Sequence, residues 1–499
     1  MVKRTLVALL AALVLAVMPA TGGAANVVSP ADYQPPPSGD FRSLPWLDAF
    51  DELHAKLSIE YGFTEWKEID WPALRSQYRP LIAGAQGARD FEAYYLALKG
   101  YVYSIPDGHV GMSGHPAIDK KHIGGGYGFA AARLSDGKVV VSWVDETSSA
   151  YMQGMRPGAE LLRWNGLPVD YAVSGVRTIF GSNPATDEDR LNQQVRLLTR
   201  APVGHEVTVQ YALSTGISAH ASLIAYDDKY RSLGRSYPAP VVSDGLRNLI
   251  LDIDSDDGPP KSMVEWRLLP GSIGYIKVWG EIDLDLAGDG QAPSTLGLFR
   301  EAVAKAGDAQ VKGLIIDIRN NIGGLDEMVA AMLGSFYEQP TFYEYQYGYH
   351  AADGSRVILA AGGNPAEGSS DHGLYILPAE PRFTGPVIAL INGKCVSSGE
   401  GLALGIRNLP NGETVGFYGT NGSFGMAGGE AYMPGDFKIR WPFGQSLDES
   451  KVVQLDSRGG VGGVAPSVRV PITVENAVRV ARGEDVELEY AMRFILARK

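Results

Sequence analysis

Three short stretches of this chain carry residue types suited to acyl transfer. The first is Ile391–Leu402, which reads INGKCVSSGEGL. An apolar strand-like run leads there into Ser397 and Ser398 at the head of a helix-like segment. A serine so placed has the positive end of the helix dipole beside it, which favours a developing oxyanion. A capping role fits the same residues, with Ser397 as N-cap and Glu400 closing a capping box. The single cysteine, Cys395, fits a small buried apolar residue. The second stretch is Asp317–Leu325, DIRNNIGGL. Its two glycines, Gly323 and Gly324, let backbone N–H groups face a ligand closely, as an oxyanion hole requires. A phosphate loop would need a Lys-Ser/Thr pair that is absent here. The third is Ile105–Val110, IPDGHV. It sets His109, the side chain best suited to exchange a proton near neutral pH, after a tight Asp-Gly turn. A surface loop histidine is the plainer reading of that stretch alone.

A fourth stretch suggests binding rather than bond breaking. Gly124–Phe129, GGGYGF, is a glycine-rich approach to a strand. Backbone N–H groups around Gly126, Tyr127, Gly128 and Phe129 could receive a peptide carboxylate while the adjoining strand edge pairs with the peptide. A structural hairpin is the alternative. The eight histidines are scattered, with no His-Glu-x-x-His spacing, so no metal site is expected.

The elements that must position these residues fall into consecutive blocks. Residues 1–25 have a basic start at Lys3 and Arg4, an apolar run from Leu6 to Val17, and small residues around Ala24 and Ala25. That is the layout of a cleaved secretory signal, and it predicts a periplasmic or secreted protein of a bacterium. The run is short for a spanning helix, so no stable membrane insertion is expected after cleavage. Residues 26–45 are Pro-rich and read as a linker or an extended arm. Residues 46–122 carry helical spacing at Trp46, Phe50, Leu53 and Leu57, and again at Phe91, Tyr94, Tyr95, Leu98 and Val102. Residues 123–240 shift to short strands and glycine turns, including Val139–Val141 and Val207–Tyr211. Residues 241–499 alternate buried strands (Tyr275–Trp279, Leu314–Ile318, Val387–Ile391) with helix faces at Leu296, Phe299 and Val303 and at Met328, Met332 and Phe336. That alternation predicts a layered α/β core and an α+β multidomain chain. The C-terminal part, from Val468, ends in a helix.

Composition narrows the class of function. A formal net charge of −13 argues against a nucleic-acid surface. One cysteine rules out an intramolecular disulfide, so packed cores must stabilise an exported chain.

Taken in order, these motifs resemble the tail-specific, or C-terminal-processing, serine peptidases of family S41, over about residues 46–480. Asp317–Leu325 matches the family's Asp-Leu-Arg-Asn-Asn-x-Gly-Gly signature, and Val396–Glu400 is similar to its Ala-Ser-Ala-x-Glu motif. The resemblance implies a helical leader domain, a PDZ-like domain over 123–240 and a ClpP/crotonase-like α/β catalytic core. It implies Ser397 as nucleophile and Gly323, Gly324 and Ser398 around the oxyanion. It also implies a polypeptide substrate, unfolded or cleaved near its C-terminus, and no cofactor. No lysine occurs between Lys394 and Lys438, so the family's Ser-Lys form lacks its base, and the tricorn-core-like form, with His109 as base, fits better. The family's late Glu-x-x-Gly-Val-x-Pro-Asp pattern stands here as Gly460–Ser467, GVGGVAPS, without either acid. Asp456 and Glu449 are the candidates for orienting His109, and Glu400 is a further candidate for supporting the site. Since the family also holds non-peptidase binders, an inactive peptide- or apolar-ligand-binding protein on the same scaffold is the rival expectation.

Overall fold

The computed structural model describes residues 26–236, 262–286, 290–364 and 371–497. The secretory-signal reading of residues 1–25 lies outside the described residues. The arm at 26–45 is extended and anchored: Val27–Val28 pairs with Ser355–Leu359, Gly39–Asp40 pairs with Ala427–Met433, and the Tyr33 hydroxyl donates to the Tyr349 carbonyl at 2.7 Å.

Helices α1 (Trp46–Glu60) and α3 (Phe91–Val102) follow the apolar spacing read from the sequence, and α2 (Trp71–Ala88) lies between them in the chain. Asp70 and Asp90 cap α2 and α3 by accepting the N–H groups of Ala73 and Ala93. The helices do not close their core alone. Ala431, Met433, Phe437, Ile439 and Trp441, from a hairpin more than 300 residues later, fill it beside Phe50, Tyr94 and Tyr101. The helical region thus depends on a piece of chain that lies in the predicted catalytic segment.

The next unit is built on an antiparallel sheet of β1 (Phe129–Arg133), β2 (Val139–Val144), β3 (Glu160–Trp164), β4 (Glu206–Ala212) and β5 (Ser218–Ile224), in the order β5-β4-β3-β2-β1. Helix α4 (Asp187–Leu198) lies beside the edge strand β1. Asn165 and Gly166, at φ of 48° and 80°, form the turn after β3 that the Asn-Gly pair announces.

The segment from residue 241 onward, expected to be catalytic, is built on a second sheet: β6 (Val264–Leu269), β7 (Ile273–Val278), β8 (Leu314–Asp317), β9 (Val387–Leu390), β10 (Gly412–Gly416) and β11 (Val468–Arg469), side by side in chain order. β6 runs antiparallel to β7, and every later pairing is parallel. Both faces are covered. Helices α5 (Thr295–Asp308), α6 (Asp326–Leu333) and α7 (Ser398–Arg407) pack on one face, and α8 (Val486–Ala497) packs on the other. That double cover is why β8 and β9 read as unbroken apolar runs. Phe336, expected on the face of α6, lies past its end at Leu333 and is buried in the same core.

Candidate active site

Two parallel strands deliver the two central loops to one place. Where β8 and β9 end, Asn320 and Asn392 lock the loops together. Asn392 Oδ1 accepts the Asn320 N–H at 3.0 Å, and its Nδ2 donates to Asn320 Oδ1 at 3.2 Å. The Val396 N–H donates to the Asn321 carbonyl at 3.2 Å. Gly323 then lies directly against Ser397: a methyl added at Gly323 would fall 2.5 Å from Ser397 Cβ and 3.2 Å from its Oγ. The signature loop and the predicted nucleophile are therefore in van der Waals contact, and at φ +77° Gly323 adopts a backbone few other residues tolerate.

Ser397 sits in a tight strand-to-helix turn at φ 60°, ψ −135°. Such a conformation is strained for a residue with a Cβ and clusters at functional positions. Its side chain makes no capping hydrogen bond, so the expected capping box does not form. Glu400 faces elsewhere: its carboxyl accepts the N–H groups of Gly422 and Ser423 at 2.5 and 2.9 Å. Burial pushes Glu400 up to about 8, against the pull of those two donors, so it holds its proton at neutral pH.

The three candidate oxyanion donors differ. The Gly323 N–H is already given to Asn321 Oδ1 at 2.8 Å, whereas Gly324 and Ser398 show no N–H bond to a described residue. The Asn321 amide is itself held by Glu281, 2.7 Å away, whose carboxyl burial raises to about 8. The Ser398 hydroxyl donates to the Gly324 carbonyl at 3.0 Å, which fixes the two remaining candidates to each other.

His109 reaches this region from the helical unit. Ser423 touches both sides: its carbonyl accepts the Ser397 N–H at 3.0 Å, and its Oγ accepts the Gly108 N–H at 2.6 Å. The imidazole is about one-tenth exposed, and neither ring nitrogen has a hydrogen-bond partner among the described residues. Burial lowers its pKa, Asp107 opposes that, and Lys67 and Arg440 add to it. A ring held neutral with free nitrogens is in the state a general base needs.

Behind His109 lies a group that sequence reasoning did not assemble. Asp107 Oδ1 is 3.8 Å from His109 Nδ1, and Lys67 forms ion pairs with Asp456 at 2.6 Å and with Asp107 at 3.9 Å. Asp456, one of the three proposed supports, is therefore part of this buried cluster. Glu449 is exposed beside Tyr345 and Tyr375 instead. Asp107 had a visible signal, two residues before the histidine. Lys67 sits in no motif.

The glycine-rich stretch is buried throughout. The Gly126 N–H donates to the Tyr226 carbonyl at 2.9 Å, the Tyr127 hydroxyl meets His205 at 2.7 Å, the Gly128 carbonyl accepts the Asp145 N–H at 2.8 Å, and Phe129 is inside the core. These groups serve the hairpin reading, while β1 remains a sheet edge beside α4. Among the described residues, no group of three or more His, Cys, Asp or Glu side chains could hold a metal ion, and no helix is long and apolar enough to cross a membrane.

Residues 272–452 match the model of peptidase family S41. The fold is similar to the crystal structure of mature CPAF, at 16% identity and a TM-score of 0.60, covering 90% of this chain and 96% of that one. It is also similar to mature CPAF complexed with lactacystin, at 15% identity and a TM-score of 0.58, covering 90% of this chain and 97% of that one. The tricorn protease aligns at 17% identity and a TM-score of 0.39, covering 91% of this chain and 36% of that one, a likeness too low to argue from. No curated protein matches the sequence.

Proposed function

We propose that this chain, a serine-type peptidase of family S41, cleaves unfolded polypeptides with Ser397 as nucleophile and His109 as general base. The observation that carries this reading is the contact between Gly323 and a Ser397 held at positive φ on the head of α7. Ser397 Oγ attacks the carbonyl carbon of the scissile bond while His109 takes the hydroxyl proton. The oxyanion accepts from the N–H groups of Gly324 and Ser398, with the dipole of α7 behind it. Collapse expels the amine, which takes the proton back from His109. Water then attacks the acyl-enzyme, His109 again accepts a proton, and Ser397 is released. The free ring nitrogens of His109 support a resting state whose catalytic hydrogen bond tightens when substrate is bound.

The finer reading is an exported endopeptidase acting near the C-termini of its substrates, in the tricorn-like style. The layout of residues 1–25 supports export. The free edge of β1 beside α4 supports a PDZ-like unit that receives an extended peptide as an added strand. The experiment is hydrolysis of an unstructured protein and of peptides with apolar C-termini. Both Ser397→Ala and His109→Ala are expected to abolish turnover, and a fluorophosphonate probe should label Ser397. Turnover equal to wild type in either variant would overturn the mechanism. Tight peptide binding without any hydrolysis by the wild type would favour an inactive binder instead.

A further inference from the structure

We propose that Lys67 is a positioning residue for the general base: its ammonium, supplied by the N-terminal helical region, ties Asp456 to Asp107 and so fixes the Asp107 carboxylate beside the His109 ring. The inference rests on the reading of His109 as base. Lys67 turns two donors and its charge to this one place. Its Nζ lies 2.6 Å from Asp456 Oδ1, donates to the Pro106 carbonyl and to Ser457 Oγ at 2.8 Å each, and stands 3.9 Å from Asp107 Oδ2. Its side chain is 2% exposed, and both acids are fully buried. The loop that carries His109 is thereby held at Pro106 and at Asp107.

Asp107 passes that hold on. Its Oδ2 accepts the Tyr61 hydroxyl at 2.8 Å, while Oδ1 accepts the His109 backbone N–H at 2.8 Å and lies 3.8 Å from His109 Nδ1. One carboxylate thus addresses both the main chain and the ring of the base. The second acid, Asp456, accepts the Phe424 N–H at 3.0 Å, one residue after Ser423. The cation therefore spans the loop of the base and the loop that touches the nucleophile.

The charges are arranged to keep the ring neutral. Burial works against the Lys67 ammonium, but Asp456 and Asp107 hold it above its ordinary value. Lys67 is consequently a fixed cation and not itself a base. The groups acting on His109 are Asp107, which favours the imidazolium, and Lys67 and Arg440, which oppose it on top of burial. Without Lys67, the field of Asp107 on the ring would be less offset. The base would charge at higher pH and lose its ability to accept the Ser397 proton there.

The test must separate this role from simple loss of folding, because removing the cation alone strands a buried acid. The informative variant is Lys67→Met combined with Asp456→Asn, beside Lys67→Arg and Asp107→Asn. The readout is the titration midpoint of His109 by NMR on histidine-labelled protein in a Ser397→Ala background, assigned by the signal lost in His109→Gln. The double variant should raise the midpoint by about one pH unit, Asp107→Asn should lower it, and Lys67→Arg should leave it in place. With Ser397 restored, the acid limb of kcat/KM should rise by the same amount in the double variant, and kcat should fall about 10²-fold with KM little changed. An unmoved midpoint in the double variant overturns the proposal. Because that midpoint is read without catalysis, a wild-type protein that cleaves nothing would sink the peptidase mechanism and leave this question answerable.

Discussion

Ser397 and His109 are held by different kinds of interaction. Around Ser397 the constraint is steric and backbone-based: two parallel strands, a reciprocal asparagine pair, and a glycine in contact with the serine Cβ. Around His109 it is electrostatic and spans distant parts of the chain: Lys67 and Tyr61 come from the helical region, and Asp456 lies nearly 400 residues after Lys67. A close-packed junction fails when a methyl is added, whereas a charge cluster fails when its balance is disturbed. The two halves of the site should therefore break in distinguishable ways.

The largest effect should come from Ser397, the proposed nucleophile. Ser397→Ala is expected to reduce kcat by about 10⁴-fold or more, with folding and peptide binding retained, as read by turnover and by calorimetry. Gly323→Ala comes next. It brings a methyl 2.5 Å from Ser397 Cβ at a backbone of φ +77°. We expect kcat to fall about 10²-fold while the far-UV spectrum is unchanged. Activity near wild type would show that the contact at Gly323 is not restrictive. Asn392→Ala removes the lock between the loops and leaves the buried Asn320 N–H without its acceptor. It should destabilise the protein by about 1–3 kcal/mol in urea unfolding and lower kcat with it.

On the other side, Trp441→Ala should open the helical core, at about 3–5 kcal/mol. It should lower activity through His109, with fluorophosphonate labelling of Ser397 falling in step with His109 misplacement. The smallest effect is the pH dependence of stability. Glu281 and Glu400 are raised to about 8, and Glu487 to about 7, so the folded protein binds protons that the unfolded chain has released above about pH 4.5. Stability contributed by these acids therefore falls as pH rises from about 4.5 towards 8. His54 and His109 are lowered and act oppositely, removing stability as pH falls below about 6.5. The two trends oppose each other between about pH 4.5 and 6.5, so the melting temperature should be highest within that window and drop by several degrees at pH 8. A flat profile would mean that the buried carboxyls are solvated in solution.

The sequence made one half of this site far more legible than the other. Asp317–Leu325 and Val396–Glu400 are contiguous, and strand ends in a parallel sheet bring such loops together almost by necessity. His109 was visible through its residue type and its turn. Lys67 was not, because the contact that matters lies between residues 67 and 456, and no local pattern encodes a pairing so distant. The same holds for Glu400. Its spacing from Ser397 suits a capping box, yet two loop N–H groups at Gly422 and Ser423 compete for the carboxyl and win. Strands such as Leu314–Asp317 are readable because double burial leaves unbroken apolar runs, whereas no local pattern ties the hairpin at 427–442 to the helical core, because its partners are so remote.

That hairpin also sets an order of events during synthesis. Residues 46–112 leave the ribosome with the apolar side of their helices uncovered, and Ala431 to Trp441 close it only after some 300 further residues have been made. The histidine is thus translated first and fixed last. A chain interrupted before residue 442 carries His109 on an unfinished core, so the proposed site is assembled only once that hairpin has been made.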